Sequence, residues 1–304
     1  MKKSQIKNCI FLFLAATIWG VAFVAQSVAA DYIKPFTFNA IRCLIGGFVL
    51  IPIVIFFSGK GKGEGLPDAP DGRNQLFNKD ALIGGLVCGL CLFAAAMLQQ
   101  FGIELSTAGK AGFITAFYIV LVPVAGVFLH QKIRSVVWVC VGLALTGLYL
   151  LCIKEGFSVG MGDLYLLLCA LAFTGHILFI DYFVQKVNGV LLSMEQFFVC
   201  GILCSVFMFL FEKPDLHQIY LARVPILYAG IMSCGVAYTF QIVGQKDMNP
   251  AVASLILSLE SVISALAGWL ILKEGLTPKE LAGCCLMFVA IALTCVPDKS
   301  SAAS

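Results

Sequence analysis

Residues 250–272 read PAVASLILSLESVISALAGWLIL, and residues 107–129 read TAGKAGFITAFYIVLVPVAGVFL. The two stretches overlay without a gap at an offset of 143, which puts Pro123 on Leu266 and Gln131, just beyond, on Glu274. A helix crosses the hydrocarbon core of a bilayer in about 20 mostly apolar residues, and each stretch has that length and character. An ionisable group at the bilayer centre costs about 2.5–3.5 kcal/mol on insertion scales. Glu260, eleven residues into the 250–272 stretch, is therefore expected to face a cavity or a partner rather than lipid.

Working outward, ten such runs divide the chain: 9–30, 36–57, 81–103, 107–129, 135–153, 164–184, 190–211, 222–244, 249–272 and 280–296. Short polar, Gly or Pro punctuation separates them. Only the connection 58–80, rich in Gly, Pro, Asp and Lys, is long, and it is expected to be mobile and water-exposed. The composition agrees: the 304 residues are 60% hydrophobic and 12% charged, about half the charged fraction of a soluble domain. Disorder, nucleic-acid binding and a soluble enzyme are poor readings of such a chain. Lys2, Lys3 and Lys7 before the first run suggest a signal peptide, but the run is too long and nine more follow, so it reads as the first membrane helix. Thirteen cysteines lie scattered in apolar stretches, as small packing residues do, and Cys88-x-x-Cys91 has no second Cys or His pair beside it.

The fold expected is an all-α integral membrane protein of ten transmembrane helices in two inverted five-helix repeats, residues 1–155 and 156–304. Further matches join the halves: Cys88-Gly89 on Cys234-Gly235 at offset 146, which puts Gln99 on Gln245, and Trp19-Gly20 on Thr174-Gly175 at 155, which puts Gln26 on Asp181. A five-helix unit, repeated, must insert upside down the second time. Inverted repeats with a midplane site at their interface are a transporter architecture. Basic residues set the orientation: with the N-terminus inside, twelve Lys and Arg fall in cytoplasmic segments and six in outer ones. Both termini are thus expected in the cytoplasm, and the chain in the cytoplasmic (inner) membrane.

The polar groups inside the runs are the site candidates. Arg42 lies in the outer third of the second run, Lys110 near the outer start of the fourth, and Glu195-Gln196 in the inner third of the seventh, roughly mirroring Arg42. Asn39 shares a helical face with Arg42, as Gln241 does with Gln245; Gln99 is the repeat mate of Gln245. His176 sits in the sixth run. Trp19, Tyr118 and Tyr238 offer aromatic walls with polar tips. Each has a structural alternative: Lys110 snorkelling to the interface, Arg42 and Glu260 as a fixed ion pair, Glu195 partly solvated, His176 as a bonded core histidine, the amides as interhelical glue. As a set they read as a cavity for a small polar metabolite. Ser254, Ser258, Ser261, Ala265 and Gly268, spaced three or four apart, read as a packing seam, and Gly142, Gly147 and Gly283 as contacts at the edge of the bundle.

Trp19-Gly20 followed by Phe23, Pro35 and Arg42, then Thr107 to Thr115 running to Pro123, then Leu257-Ser258-Leu259-Glu260-Ser261 through Gly268 to Lys273-Glu274, resemble the EamA-type repeats of the drug/metabolite transporter superfamily over about residues 8–296. The resemblance implies two inverted five-helix repeats. It also implies a cavity lined by helices one to four and six to nine, with the fifth and tenth peripheral and sometimes at a homodimer contact. It implies transport of small metabolites, frequently export of amino acids or related compounds. Gln131 in place of a second Glu274, and Thr174-Gly175 in place of a second Trp-Gly, depart from exact symmetry.

The function expected is a secondary transporter of a small polar or amphipathic metabolite, amino-acid-like or carboxylate-bearing, working by alternating access with the bilayer as its other partner. No cofactor, metal or nucleic acid is expected, and no phosphate-binding loop is present. The alternatives are a membrane-embedded enzyme acting on lipid, disfavoured by three separated histidines and no hydrolase motif, and a non-transporting scaffold.

Overall fold

A computed structural model of the chain describes residues 3–58, 78–105, 108–131, 133–152, 160–271, 275 and 277–294. Most of the 58–80 connection lies outside these residues. Among them every regular element is helical: α1 (Lys3–Ala30), α2 (Pro35–Ser58), α3 (Lys79–Glu104), α4 (Ala108–Thr115), α5 (Tyr118–Phe128), α6 (Ser135–Cys152), α7 (Met161–Val184), α8 (Gly189–Phe211), α9 (Leu216–Leu221), α10 (Arg223–Leu227), a π-helical segment (Tyr228–Ala237), α11 (Tyr238–Gln245), α12 (Pro250–Leu257), α13 (Leu259–Ile271) and α14 (Pro278–Thr294).

Local chemistry sets most boundaries. Asn78, Asn188 and Asn249 each precede a helix and accept backbone N–H bonds, from Asp80, from Val190 and Leu191, and from Ala251. These side chains satisfy donors that the first helical turn leaves open. Pro35, Pro250 and Pro278 open α2, α12 and α14, where a missing N–H costs nothing.

Eight stretches among the described residues are long and apolar enough to span a membrane. The protein is a multi-pass membrane protein, and its outer surface agrees: Phe128, Phe209 and Leu270 point outward, exposed by 79%, 74% and 68%. In hydrocarbon every backbone group must be bonded within the protein, and an apolar run of about 20 residues meets this as a helix.

Three runs that read as single helices are not. The fourth breaks at Ala116–Phe117 between α4 and α5, and the ninth at Ser258 between α12 and α13. These breaks fall within two positions of each other at the offset of 143. Both use short i→i+3 bonds: Phe117 N–H to Ile114 O at 3.1 Å, and Ser261 N–H to Ser258 O at 3.2 Å. Pro123 lies farther on, inside α5, where it cannot donate to the Ile119 carbonyl. The eighth run winds as π-helix over ten residues; π-helical turns are rare and are frequently found at functional sites.

In the bundle α1 packs on α13, α12, α11 and the π segment; α7 packs on α3, α4 and α5; α2 packs on α8 and the π segment, α3 on α8, and α6 on α14. Of the eight spans among the described residues, Pro250–Ile271 is the most internal, with 72% of its apolar window buried. Gly147 and Gly283 serve the α6–α14 contact within the chain. A Cβ on Gly283 would lie 2.5 Å from Gly147 O, and one on Gly147 2.8 Å from Gly283 O. Gly142, by contrast, meets nothing within 4 Å.

Candidate functional site: a polar cavity inside the bundle

The helix break at Ser258 leads directly into Glu260, and the break at Ala116–Phe117 directly into Tyr118. The two side chains meet: Tyr118 Oη donates to Glu260 Oε1 at 3.0 Å. Both are buried, at 4% and 7% exposure. They share one wall of a cavity of about 40 Å³. At about 10–15 Å³ per water, that volume holds about three.

From α1 the cavity receives Trp19, Ala22, Phe23 and Gln26. These lie at i, i+3, i+4 and i+7, one face of one helix. From α2 comes Arg42, from α3 Gln99, from α7 Phe173 and Ile177, from the π segment Ser233, from α11 Tyr238 and Gln241, and from α12 Leu257. Arg42 is 4% exposed. Its Nε donates to Asn39 Oδ1 at 2.9 Å, and its guanidinium carbon stands 5.1 Å from the Phe38 ring centroid. Arg42 and Glu260 thus each take a neutral partner and face the same space. They are not the fixed ion pair of the structural alternative.

Of the residues singled out in the sequence, Glu260, Arg42, Gln99, Gln241, Tyr118, Tyr238 and Trp19 come together on this cavity. Asn39, fully buried, stands one layer behind, donating from Nδ2 to Pro35 O at 2.9 Å while holding Arg42. Gln245 also stands behind the wall, its Nε2 donating to the backbone oxygen of Ile177 at 3.2 Å.

His176 and Gln196 pair with each other, Nε2 to Oε1 at 2.9 Å, with no exposed surface on either. The pair touches the cavity through Tyr238, whose ring centroid is 6.0 Å from that of His176. Glu195 lies against Gly85 of α3, where a Cβ would come within 2.4 Å of its own, and does not line the cavity. The Lys110 side chain lies outside the described residues.

Gln26 and Ser233 line the cavity without having been singled out. Gln26 had a signal in its seven-residue spacing from Trp19. Ser233 had none, because the π winding alone decides its direction. Among the described residues Gln26 and Gln99, 5% and 7% exposed, have no hydrogen-bond partner in the chain. Buried polar groups are normally bonded, so these amides are available to water or a ligand. No group of three or more His, Cys, Asp and Glu among the described residues could hold a metal ion.

The sequence profile of the EamA-like transporter family matches residues 6–153 and again residues 160–296. The chain belongs to the EamA-like transporter family. A relative from Archaeoglobus fulgidus named "Uncharacterized transporter" is 30% identical over 284 residues, covering 92% of this chain and 83% of the relative. The "Uncharacterized transporter YoaV" of Bacillus subtilis is 23% identical over 298 residues, covering 94% and 97%. A solved structure titled "Crystal structure of protein" superposes with TM-score 0.78 over 95% of this chain and 96% of its own, at 18% identity. That likeness shows a shared fold alone.

Proposed function

We propose that this membrane transporter moves a small polar or amphipathic metabolite, amino-acid-like or carboxylate-bearing, across the cytoplasmic membrane by alternating access. The observation that carries the proposal is that Arg42 and Glu260, one of each charge type, face a single buried cavity amid apolar spans. Charge-assisted hydrogen bonds are strong in low dielectric. In this reading Arg42, steadied by Asn39, takes an anionic group. Glu260, steadied by Tyr118, takes a cationic or hydrogen-bonding one. Trp19, Tyr238 and Phe23 supply apolar walls. Ligand sites usually measure about 300–1,000 Å³, so the cavity must widen to admit a metabolite, as alternating access requires.

We read the architecture as ten spans in two inverted repeats, 1–155 and 156–304, with α6 and α14 as the fifth and tenth spans. Several observations support this. The contact of α1 with α12–α13 has its counterpart in α7 with α4–α5, and that of α1 with the π segment and α11 in α7 with α3. Contacts α2–α8 and α6–α14 join equivalent helices. The family profile matches twice, and the helix breaks fall within two positions of each other at the repeat offset. Basic residues favour cytoplasmic termini.

The test is flux in proteoliposomes loaded with radiolabelled amino acids and carboxylates, comparing wild type with Arg42→Gln and Glu260→Gln. Saturable flux that both substitutions abolish is expected. Equal flux in all three proteins removes these residues from the mechanism.

A further inference from the structure

The helices α3, α8, α9 and α12 are capped by the residue just before them: Asn78, Asn188, Asp215 and Asn249. The start of α2 is held differently. Its acceptor is Glu212, some 175 positions away at the end of α8. Glu212 Oε1 accepts the Phe36 N–H at 2.9 Å, and Oε2 accepts both the Thr37 N–H and the Thr37 hydroxyl at 2.7 Å. The carboxylate is 9% exposed. Three short bonds from an anion to a helix start combine charge assistance with the favourable end of the helix dipole. They fasten the end of one packed helix to the beginning of another.

The turn that Glu212 grips leads to the cavity. Asn39 bonds back to Pro35 O, one residue before Phe36, and accepts from Arg42 Nε. The route Glu212, Phe36–Thr37, Asn39, Arg42 is therefore continuous. The same end of the bundle gathers the C-terminal part of α1 with Gln26 and the C-terminal part of α3 with Gln99. At the other end of the α2–α8 pair, α8 begins on its own Asn188, which accepts from Val190 and Leu191 within its own chain segment.

We propose that Glu212 is a latch and positioning residue: gripping the first turn of α2 from the end of α8, it sets where Arg42 meets the cavity and holds that end of the bundle closed. The proposal rests on the transporter reading for its purpose, and on the geometry alone for its effect. Release of Glu212 lets the start of α2 swing from α8 and widens the cavity at its Arg42 end. Hydrogen bonds to a charged group, once lost, shift a closed-to-open ratio by about tenfold.

The chain holds three tryptophans. Trp19 lines the cavity, whereas Trp138 and Trp269 are 39% and 48% exposed on the outer surface. In a Trp138→Phe, Trp269→Phe background Trp19 alone reports on the cavity. The experiment measures acrylamide quenching of Trp19 in proteoliposomes for this background and for added Glu212→Ala, Glu212→Gln and Thr37→Val. Quenching is expected to rise strongly in Glu212→Ala and less in Glu212→Gln and Thr37→Val, each of which keeps part of the bonding. Circular dichroism checks that the helices persist. Unchanged quenching in all three folded variants overturns the latch. If Glu212→Ala does not fold, the milder Thr37→Val decides. Flux separates the two claims: flux without a Glu212 effect on Trp19 retires the latch and keeps the transporter. A Glu212 effect on Trp19 without flux of any compound does the reverse.

Discussion

Replacing Tyr118 with Phe removes one oxygen and almost no volume. In the structure that oxygen donates to Glu260 Oε1 at 3.0 Å, and both residues are buried. Leaving a buried acceptor without its donor costs about 1–3 kcal/mol, with hydrogen bonds to charged groups at the high end. The cavity beside Glu260 tempers this. Its 40 Å³ hold about three waters, and one can move in to serve the orphaned oxygen. The net destabilisation expected is therefore about 1–2 kcal/mol. A double-mutant cycle isolates the contact. Tyr118→Phe, Glu260→Leu and the double variant are unfolded with sodium dodecyl sulfate in mixed micelles, followed by circular dichroism. A coupling energy of about 1 kcal/mol is expected, since both single variants delete the same bond. If the two single effects simply add, within the usual scatter of about 0.3–0.5 kcal/mol, Tyr118 and Glu260 do not interact and the site is wrongly built.

Three further outcomes follow from packing and burial. Gly283→Ala places a Cβ 2.5 Å from Gly147 O and 2.7 Å from Leu151 N, both backbone. It should lower stability in the same assay by about 1–3 kcal/mol, whereas Gly142→Ala, into open space, should hold stability or raise it by about 0.5–1 kcal/mol. Gln196→Leu takes the acceptor from the fully buried His176 Nε2 and should cost about 1–3 kcal/mol, read as an earlier unfolding midpoint. Cys285 is exposed on the outer face while Cys43, Cys200 and Cys234 are buried. A lipid-soluble maleimide followed by peptide mass spectrometry should modify Cys285 first and leave those three unmodified until the protein unfolds.

The membrane class and the long apolar runs were legible in the sequence. Long apolar runs must be helices in lipid, and each residue advances about 1.5 Å along the axis. Glu260 could thus be placed near the middle of its run by counting. Which face a residue occupies was harder. A helix that is apolar on all sides carries no amphipathic stripe to mark its inner face, because lipid and protein interior are both apolar. Where two polar residues shared a face, as Asn39 with Arg42, the spacing was informative. Glu195 and Gln196 were neighbours in sequence, yet one lies against Gly85 and the other against His176. Glu212 carries no signal in the sequence, since nothing local announces that its partners are Phe36 and Thr37.

The amino-acid order by itself determined that this chain lies in a bilayer as apolar helices, that its halves echo each other, and that a few costly polar groups fall within apolar runs. These follow from transfer energies and helical rise, which act residue by residue. Only the tertiary structure decided that the fourth and ninth runs break beside Tyr118 and Glu260, that the eighth winds as π-helix, and that Gln26 and Ser233 join Arg42 on one cavity. Those outcomes depend on how each helix is rotated and broken against its neighbours, and that rotation is set by close packing between distant segments.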